Sequence, residues 1–283
     1  MIDLILAILF SAMIPILLNY AHRSKLADEV VLTFNYTLAT IVSLILTMAN
    51  KSTYFLLLED PFHIASLVII GAITGLMFYG SFYFYQKSVK DHGVALSIAV
   101  GKMGVILPML LSLFIWRELP TPIQWIGIIV SIVAIGLISI QPSKINPTPL
   151  KISLLFFLLM NGLGDFFNKL FETTIGAGYK DLFLLMVFGS ALIASSIQTI
   201  KHKQINTRSI LFGFAIGLPN LLTTYFFINA LSHLNDAVVF PMYSGGAIVL
   251  SSLWGISVFR ERLKLKEVTG MVLILTALIL INL

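Results

Sequence analysis

The sequence predicts an all-α integral membrane protein with ten transmembrane helices arranged as two inverted five-helix repeats, and three observations predict it. Of 283 residues, 58% are hydrophobic and 11% charged, whereas a soluble domain carries about 25% charged residues. Apolar runs of about 20 residues, the length that spans a hydrocarbon core, recur along the whole chain. The second half also repeats landmarks of the first at a constant spacing.

Breaking the chain at its charged, proline-rich and asparagine-rich punctuation places helices near residues 2–20, 29–49, 64–86, 93–116, 122–140, 150–172, 181–199, 209–231, 236–259 and 267–283. The first, "MIDLILAILFSAMIPILLNY", carries Asp3 instead of a basic start and no small-residue cleavage site, so it reads as a retained helix. The third is aromatic, "GLMFYGSFYFYQ", and the fourth holds a lysine, Lys102. After the fifth comes "QPSKINPTPLK", the most polar and proline-rich break in mid-chain, the natural seam between residues 1–141 and 150–283. The sixth is polar at its centre, and the eighth and ninth contain Pro219 and Pro241. No long polar segment remains for a soluble domain, so one membrane unit is expected. The net charge of +5 then falls in short loops, where it sets orientation and does not serve nucleic-acid binding. With no cysteine, disulfides, thiolate catalysis and cysteine metal sites are excluded.

Glu118 of "WRELPTPIQWIG" and Glu261 of "FRERLKLKEVTG" stand 143 positions apart. The same offset pairs Arg117 with Arg260, Leu110 with Leu253, Gly127 with Gly270, Ala134 with Ala277 and Ile138 with Ile281. Five crossings are an odd number, so two like halves in sequence must be inverted in the membrane. Loop charges agree: Lys51 alone follows helix 2, but Lys201, Lys203 and Arg208 follow helix 7. Arg117 alone follows helix 4, but Arg260, Arg262, Lys264 and Lys266 follow helix 9.

Two inverted five-helix halves, each ending its fourth helix in an aromatic or apolar run, then a glutamate, then "QWIG" or "EVTG" opening the fifth, resemble the drug/metabolite transporter superfamily, EamA type. The likeness covers nearly the whole chain. It departs in having Arg117 and Arg260 where the family usually has glycine. The resemblance implies a secondary transporter of a small metabolite, monomeric or homodimeric, with both termini in the cytoplasm, and names no substrate. The loop count of Lys and Arg, 13 on the side of the odd-numbered connections against four on the other, instead places the termini outside.

In such transporters the site lies near the bilayer midplane between the halves. Lys102 comes first. It lies nine residues into the run that starts at Gly93, roughly 13 Å down a helix, where a charge costs about 3 kcal/mol on insertion scales. It reads either as the counter-charge of an anionic group or as half of a structural ion pair. On helix 6, Asp165 and Lys169 are four apart with the acid first, which favours an intrahelical pair. Alternatively Asp165, with Asn161 on the same face, meets a substrate amine or a coupling proton. Tyr79 and Tyr83 on helix 3, Asn220 and Tyr225 on helix 8, and Tyr243 on helix 9 read as cavity lining or as packed core. Pro219 frees a carbonyl that lines a site or is satisfied by a neighbouring threonine. Glu118 and Glu261, amid arginines at helix ends, read as ion-paired turns. The histidines lack metal-ligand spacing, no phosphate loop is present, and nothing implies a cofactor.

These residues point to alternating-access transport of a small polar organic metabolite, an amino-acid-like zwitterion or an organic anion, in the plasma (inner) membrane of a prokaryote. A proton-coupled exporter of cationic compounds and a lipid head-group flippase are the alternatives. A membrane-embedded enzyme on lipid-linked substrates would need clustered acids, whereas the aspartates here are scattered singly. The expected partners are the small-molecule substrate, membrane lipids and a second copy of the chain; no nucleic acid is expected.

Overall fold

A computed structural model describes residues 1–50, 61–92, 97, 101, 103–115, 121–139, 152–200, 205–234, 236–259 and 265–281. Among these residues the regular elements are all helical. They are α1 (Ile2–Arg23), α2 (Asp28–Ala49), α3 (Pro61–His92), α4 (Ile106–Ile115), α5 (Pro122–Ser139), α6 (Ile152–Thr174), α7 (Lys180–Ile200), α8 (Thr207–His233), α9 (Asp236–Phe259) and α10 (Leu265–Ile281). Short 3-10 turns, Met103–Val105 and Ala177–Tyr179, lead into α4 and α7.

Six stretches, Ile2–Arg23, Asp28–Ala49, Phe62–Val89, Ile152–Thr174, Ala177–Ile200 and Thr207–His233, are long and apolar enough to cross a membrane. Their outer faces are greasy. On α2 the buried residues Val31, Asn35, Tyr36, Ala39 and Ser43 alternate at helical spacing with exposed Ile41, Leu44, Ile45 and Met48. α7 likewise exposes Ile193, Ile197 and Ile200. In water such faces would be aggregation patches. Against lipid tails they cost nothing, and the chain is an integral membrane protein.

The chain divides into two compact units. The first joins Met1–Tyr79 to Phe166–His233, and the second joins Gly80–Asp165 to Leu234–Leu283. Each unit therefore draws on both halves of the sequence, and α3 and α6 each contribute to both.

In the first unit α2 packs against α7 and α8, and α1 against α8. Asn50, just past the end of α2, donates to Asp181 Oδ2 at the start of α7 across 3.1 Å. Thr33 near the start of α2 shares a 2.7 Å hydrogen bond with Thr199 at the end of α7. The two helices thus run antiparallel. Glycine pairs four residues apart bring backbones together, as small-xxx-small faces do in membranes. Gly71 and Gly75 on α3 dock on α7: a Cβ at Gly71 would stand 2.7 Å from Met186 Cβ, and one at Gly75 would collide with the Val187 carbonyl oxygen. Gly213 and Gly217 on α8 dock on α2 in the same manner, 2.7 Å from the Val31 carbonyl oxygen and 2.6 Å from that of Asn35.

In the second unit α5 packs on α10, and α9 meets α4 and α10. The first part of α6 lies against α3 and the 101–104 region. Phe84 stacks on Phe156 at 5.0 Å and Tyr85 tilts over Phe157 at 5.3 Å. At Gly104 a Cβ would stand 2.8 Å from the Gly162 backbone nitrogen, so glycine on both segments allows the approach.

Candidate functional site

Lys102, Glu118, Glu261 and the Gln141–Lys151 seam lie outside the described residues. Gly101, the residue before Lys102 in sequence, is held from α6. Asn161 Nδ2 donates to the Gly101 carbonyl at 3.1 Å, and Ser81 Oγ on α3 donates to Asn161 Oδ1 at 3.4 Å. Asn161 therefore pins the backbone one residue before Lys102 by side-chain hydrogen bonds, a use of asparagine that membrane helices favour because no water competes for the amide.

Along α6 the polar positions Asn161, Asp165, Asn168 and Glu172 follow one another at spacings of four, three and four, the period of one helix face. Asp165 is buried, at 8% exposure. Lys169 donates to Glu172 Oε2 at 3.2 Å, both side chains being largely enclosed. Lys169 thus has a carboxylate partner one turn further along the helix, in Glu172. Asn168 Oδ1 is buried with no hydrogen-bond partner among the described residues.

The tyrosines separate by what their rings and hydroxyls touch. Tyr79 donates to Gln198 Oε1 at 2.6 Å, tying α3 to α7. Tyr83 sits half-buried, edge-on to Phe84 at 5.2 Å. Tyr243 is buried in α9 beside buried Ser244. Tyr225 carries a cation on its face: Lys180 Nζ lies 3.5 Å from the ring centroid. The same ammonium donates to Asn229 Oδ1, and Asn229 Nδ2 donates on to Asp3 Oδ1 at 3.4 Å. Lys180 is buried at 9% exposure, so its charge is held by an aromatic quadrupole and an amide whose other end reaches a carboxylate.

Asn220 stands in the middle of α8, just after Pro219. Its Nδ2 donates to Asn35 Oδ1 on α2 at 3.2 Å, and both side chains are buried. Thr223 Oγ1 returns to the Pro219 carbonyl at 2.8 Å and Thr224 Oγ1 to that of Asn220 at 3.3 Å. The threonines therefore serve carbonyls on the C-terminal side of the proline. The carbonyl that a helical proline frees is the one four residues before it. Asn35 Nδ2 finds no hydrogen-bond partner among the described residues. A buried amide left in this state costs about 1 to 3 kcal/mol.

Of the predicted site residues, the structure joins Asn161 to the Gly101 carbonyl, and places Asn220 and Tyr225 on two separate polar clusters of the first unit. Sequence reasoning missed Asn35, Lys180, Asn229 and Asp3. Asn35 had a signal, an amide inside the apolar run "VVLTFNYTLAT". Lys180 had none that differs from an ordinary interfacial lysine.

Comparison with known proteins agrees with this architecture. A Haemophilus influenzae protein described as an uncharacterized protein is 25% identical over 284 residues, spanning 98% of this chain and 96% of its own. A solved crystal structure shares the fold with a TM-score of 0.70 at 16% identity, covering 99% of this chain and 94% of that one. Residues 1–140 match the EamA-like transporter family model. Through these residues the chain belongs to the EamA-like transporter family, a family of membrane transporters.

Proposed function

We propose that the protein is a secondary transporter that moves a small polar organic metabolite, an amino-acid-like zwitterion or an organic anion, across the plasma (inner) membrane of a prokaryote by alternating access. Two inverted five-helix repeats, residues 1–141 and 150–283, form the scaffold. The observation that carries this reading is the reciprocal docking in the first unit. α3 lays Gly71 and Gly75 on α7, and α8 lays Gly213 and Gly217 on α2. In a five-plus-five repeat, α3 corresponds to α8 and α2 to α7, and corresponding helices must run in opposite directions. The hydrogen bonds at the two ends of α2 and α7 support that. Interlocked repeats of this kind exchange two mirror-related packings around a midplane site.

Lys102 is the proposed counter-charge for the cargo's carboxylate or phosphate, and Asn161, which bonds the Gly101 carbonyl, joins it in the proposed set. Asp165, Tyr79, Tyr83, Asn220, Tyr225 and Tyr243 complete the proposed set of site residues. The functional form is a monomer or homodimer in lipid. A second reading, proton-coupled export of a cationic compound, draws support from the buried Asp165 in a membrane-length helix.

The test is a thermal-shift screen of wild type and Lys102→Met against amino acids, carboxylates, phosphorylated sugars, amines and cationic dyes. A ligand that binds the native state raises its melting temperature. Stabilisation by an anion or zwitterion that disappears in Lys102→Met, with the unliganded melting temperature unchanged, is the expected result. Stabilisation by cations that survives the substitution sinks the role of Lys102 and selects the exporter.

A further inference from the structure

We propose that Asn35 and Asn220 form a hydrogen-bonding seat for an uncharged oxygen acceptor of the cargo, an amide or ketone carbonyl. It rests on the transporter reading and adds to it a second recognition point, distinct from a counter-charge.

Among the described residues Asn35 carries a buried orphan donor. Asn35 and Asn220 are exposed by 1% and 4%, in the middle part of two membrane-length helices. One hydrogen bond joins them and uses the Asn35 oxygen, leaving Asn35 Nδ2 with no partner among the described residues. A pair kept purely for packing would do better as two leucines, since a buried N–H without an acceptor is a net loss. Cargo that brings an acceptor turns this loss into binding free energy.

The orientation of the seat is fixed from both sides. Gly217 presses its Cα against the Asn35 carbonyl, where a Cβ would stand at 2.6 Å, and against Leu38. On the other side the Pro219 ring fixes the φ angle just before Asn220, and Thr223 and Thr224 donate to the Pro219 and Asn220 carbonyls. A rigid donor loses little entropy when a ligand arrives.

The chemistry of the neighbours names the class. Leu38, Gly217, Pro219, Thr223 and Thr224 carry no charge. A carboxylate or phosphate placed there would give up its hydration without a counter-charge, whereas a neutral carbonyl would not.

The chain has no cysteine, so Asn35→Cys and Asn220→Cys, each made singly in the full chain, are clean reporters. In proteoliposomes a membrane-impermeant methanethiosulfonate reagent is supplied on one face or the other. Labelling of each cysteine from both faces is the expected result and supports the seat. Labelling from one face alone keeps the seat and overturns alternating access, the reading beneath it. No labelling from either face, in variants that melt with the wild type, overturns the seat. Should Asn35→Cys fail to fold, Asn220→Cys carries the test. Acetamide and acetate then serve as probes in Asn220→Cys, which retains Asn35. Acetamide is expected to slow labelling at least threefold more than acetate at equal concentration, and an equal or reversed order overturns the uncharged class.

Discussion

The two ends of the first unit are closed by different chemistry. At the end where α7 begins, a buried ammonium is gripped by the Tyr225 ring and by Asn229, which in turn reaches Asp3, while Asn50 reaches Asp181. At the end where α7 finishes, hydroxyl bonds join the helices beside a partly exposed His22–Asp28 pair. Thr33 meets Thr199, Thr199 donates to the Glu29 carbonyl at 3.0 Å, and Ser209 Oγ accepts the Ala27 N–H at 3.1 Å. A charged, aromatic closure is strong when dry and weakens steeply once water enters, because Coulomb and cation–π attraction both fall with dielectric. Hydroxyl-to-backbone closures are individually modest and change little.

The largest expected effect comes from breaking the charged end. Lys180→Met removes the ammonium and leaves Asn229, Asp3 and Tyr225 without their centre; a loss of about 3 kcal/mol is expected, from the cost of taking one partner out of a buried charged network. Melting in detergent measures it, and a loss below that of Thr199→Val would reverse the ranking of the two ends. Next comes Thr199→Val, which removes hydroxyl bonds to Thr33 and to the Glu29 carbonyl and should cost about 1 to 1.5 kcal/mol. Double-mutant cycles sharpen the contrast: the Thr33–Thr199 coupling should fall near 0.6 kcal/mol, the usual interhelical value in membranes, and the Lys180–Asn229 coupling well above it. The smallest effect is at His22, which faces Asp28 at 3.7 Å with 45% of its side chain exposed. His22→Ala should shift stability by less than about 0.5 kcal/mol, as exposed pairs do.

Much of the fold was legible beforehand. α2, α7 and α8 fall within two residues of the apolar runs 29–49, 181–199 and 209–231, because hydrocarbon thickness sets helix length and the chain must mark each crossing with polar punctuation. Membership in the transporter family was legible too, from the glutamate and glycine spacing after the fourth helix. The site was legible in fragments. Asn161, Asp165 and Asn220 stood out because an amide or acid in an apolar run is costly wherever it points. Asn35 escaped although it obeys the same rule, since its weight comes from meeting Asn220 from a helix 185 residues away. Lys180 escaped for the opposite reason: a lysine at a helix start is ordinary until a tyrosine and an asparagine from α8 enclose it.

By itself, then, the sequence determined that the chain lives in a membrane, where α2, α7 and α8 begin and end to within two residues, and which transporter family it belongs to. Each of these follows from local rules of length, hydropathy and spacing. Only the tertiary structure decided which polar groups meet. It sent the Lys169 ammonium to Glu172, the Lys180 ammonium to Tyr225 and Asn229, and left Asn35 one donor short. The physical reason is that a helix face has a period but no partner. Inside a membrane every apolar face is equally content against lipid, so glycine contacts and interhelical hydrogen bonds choose the neighbours, and those depend on pairs of residues far apart in the chain.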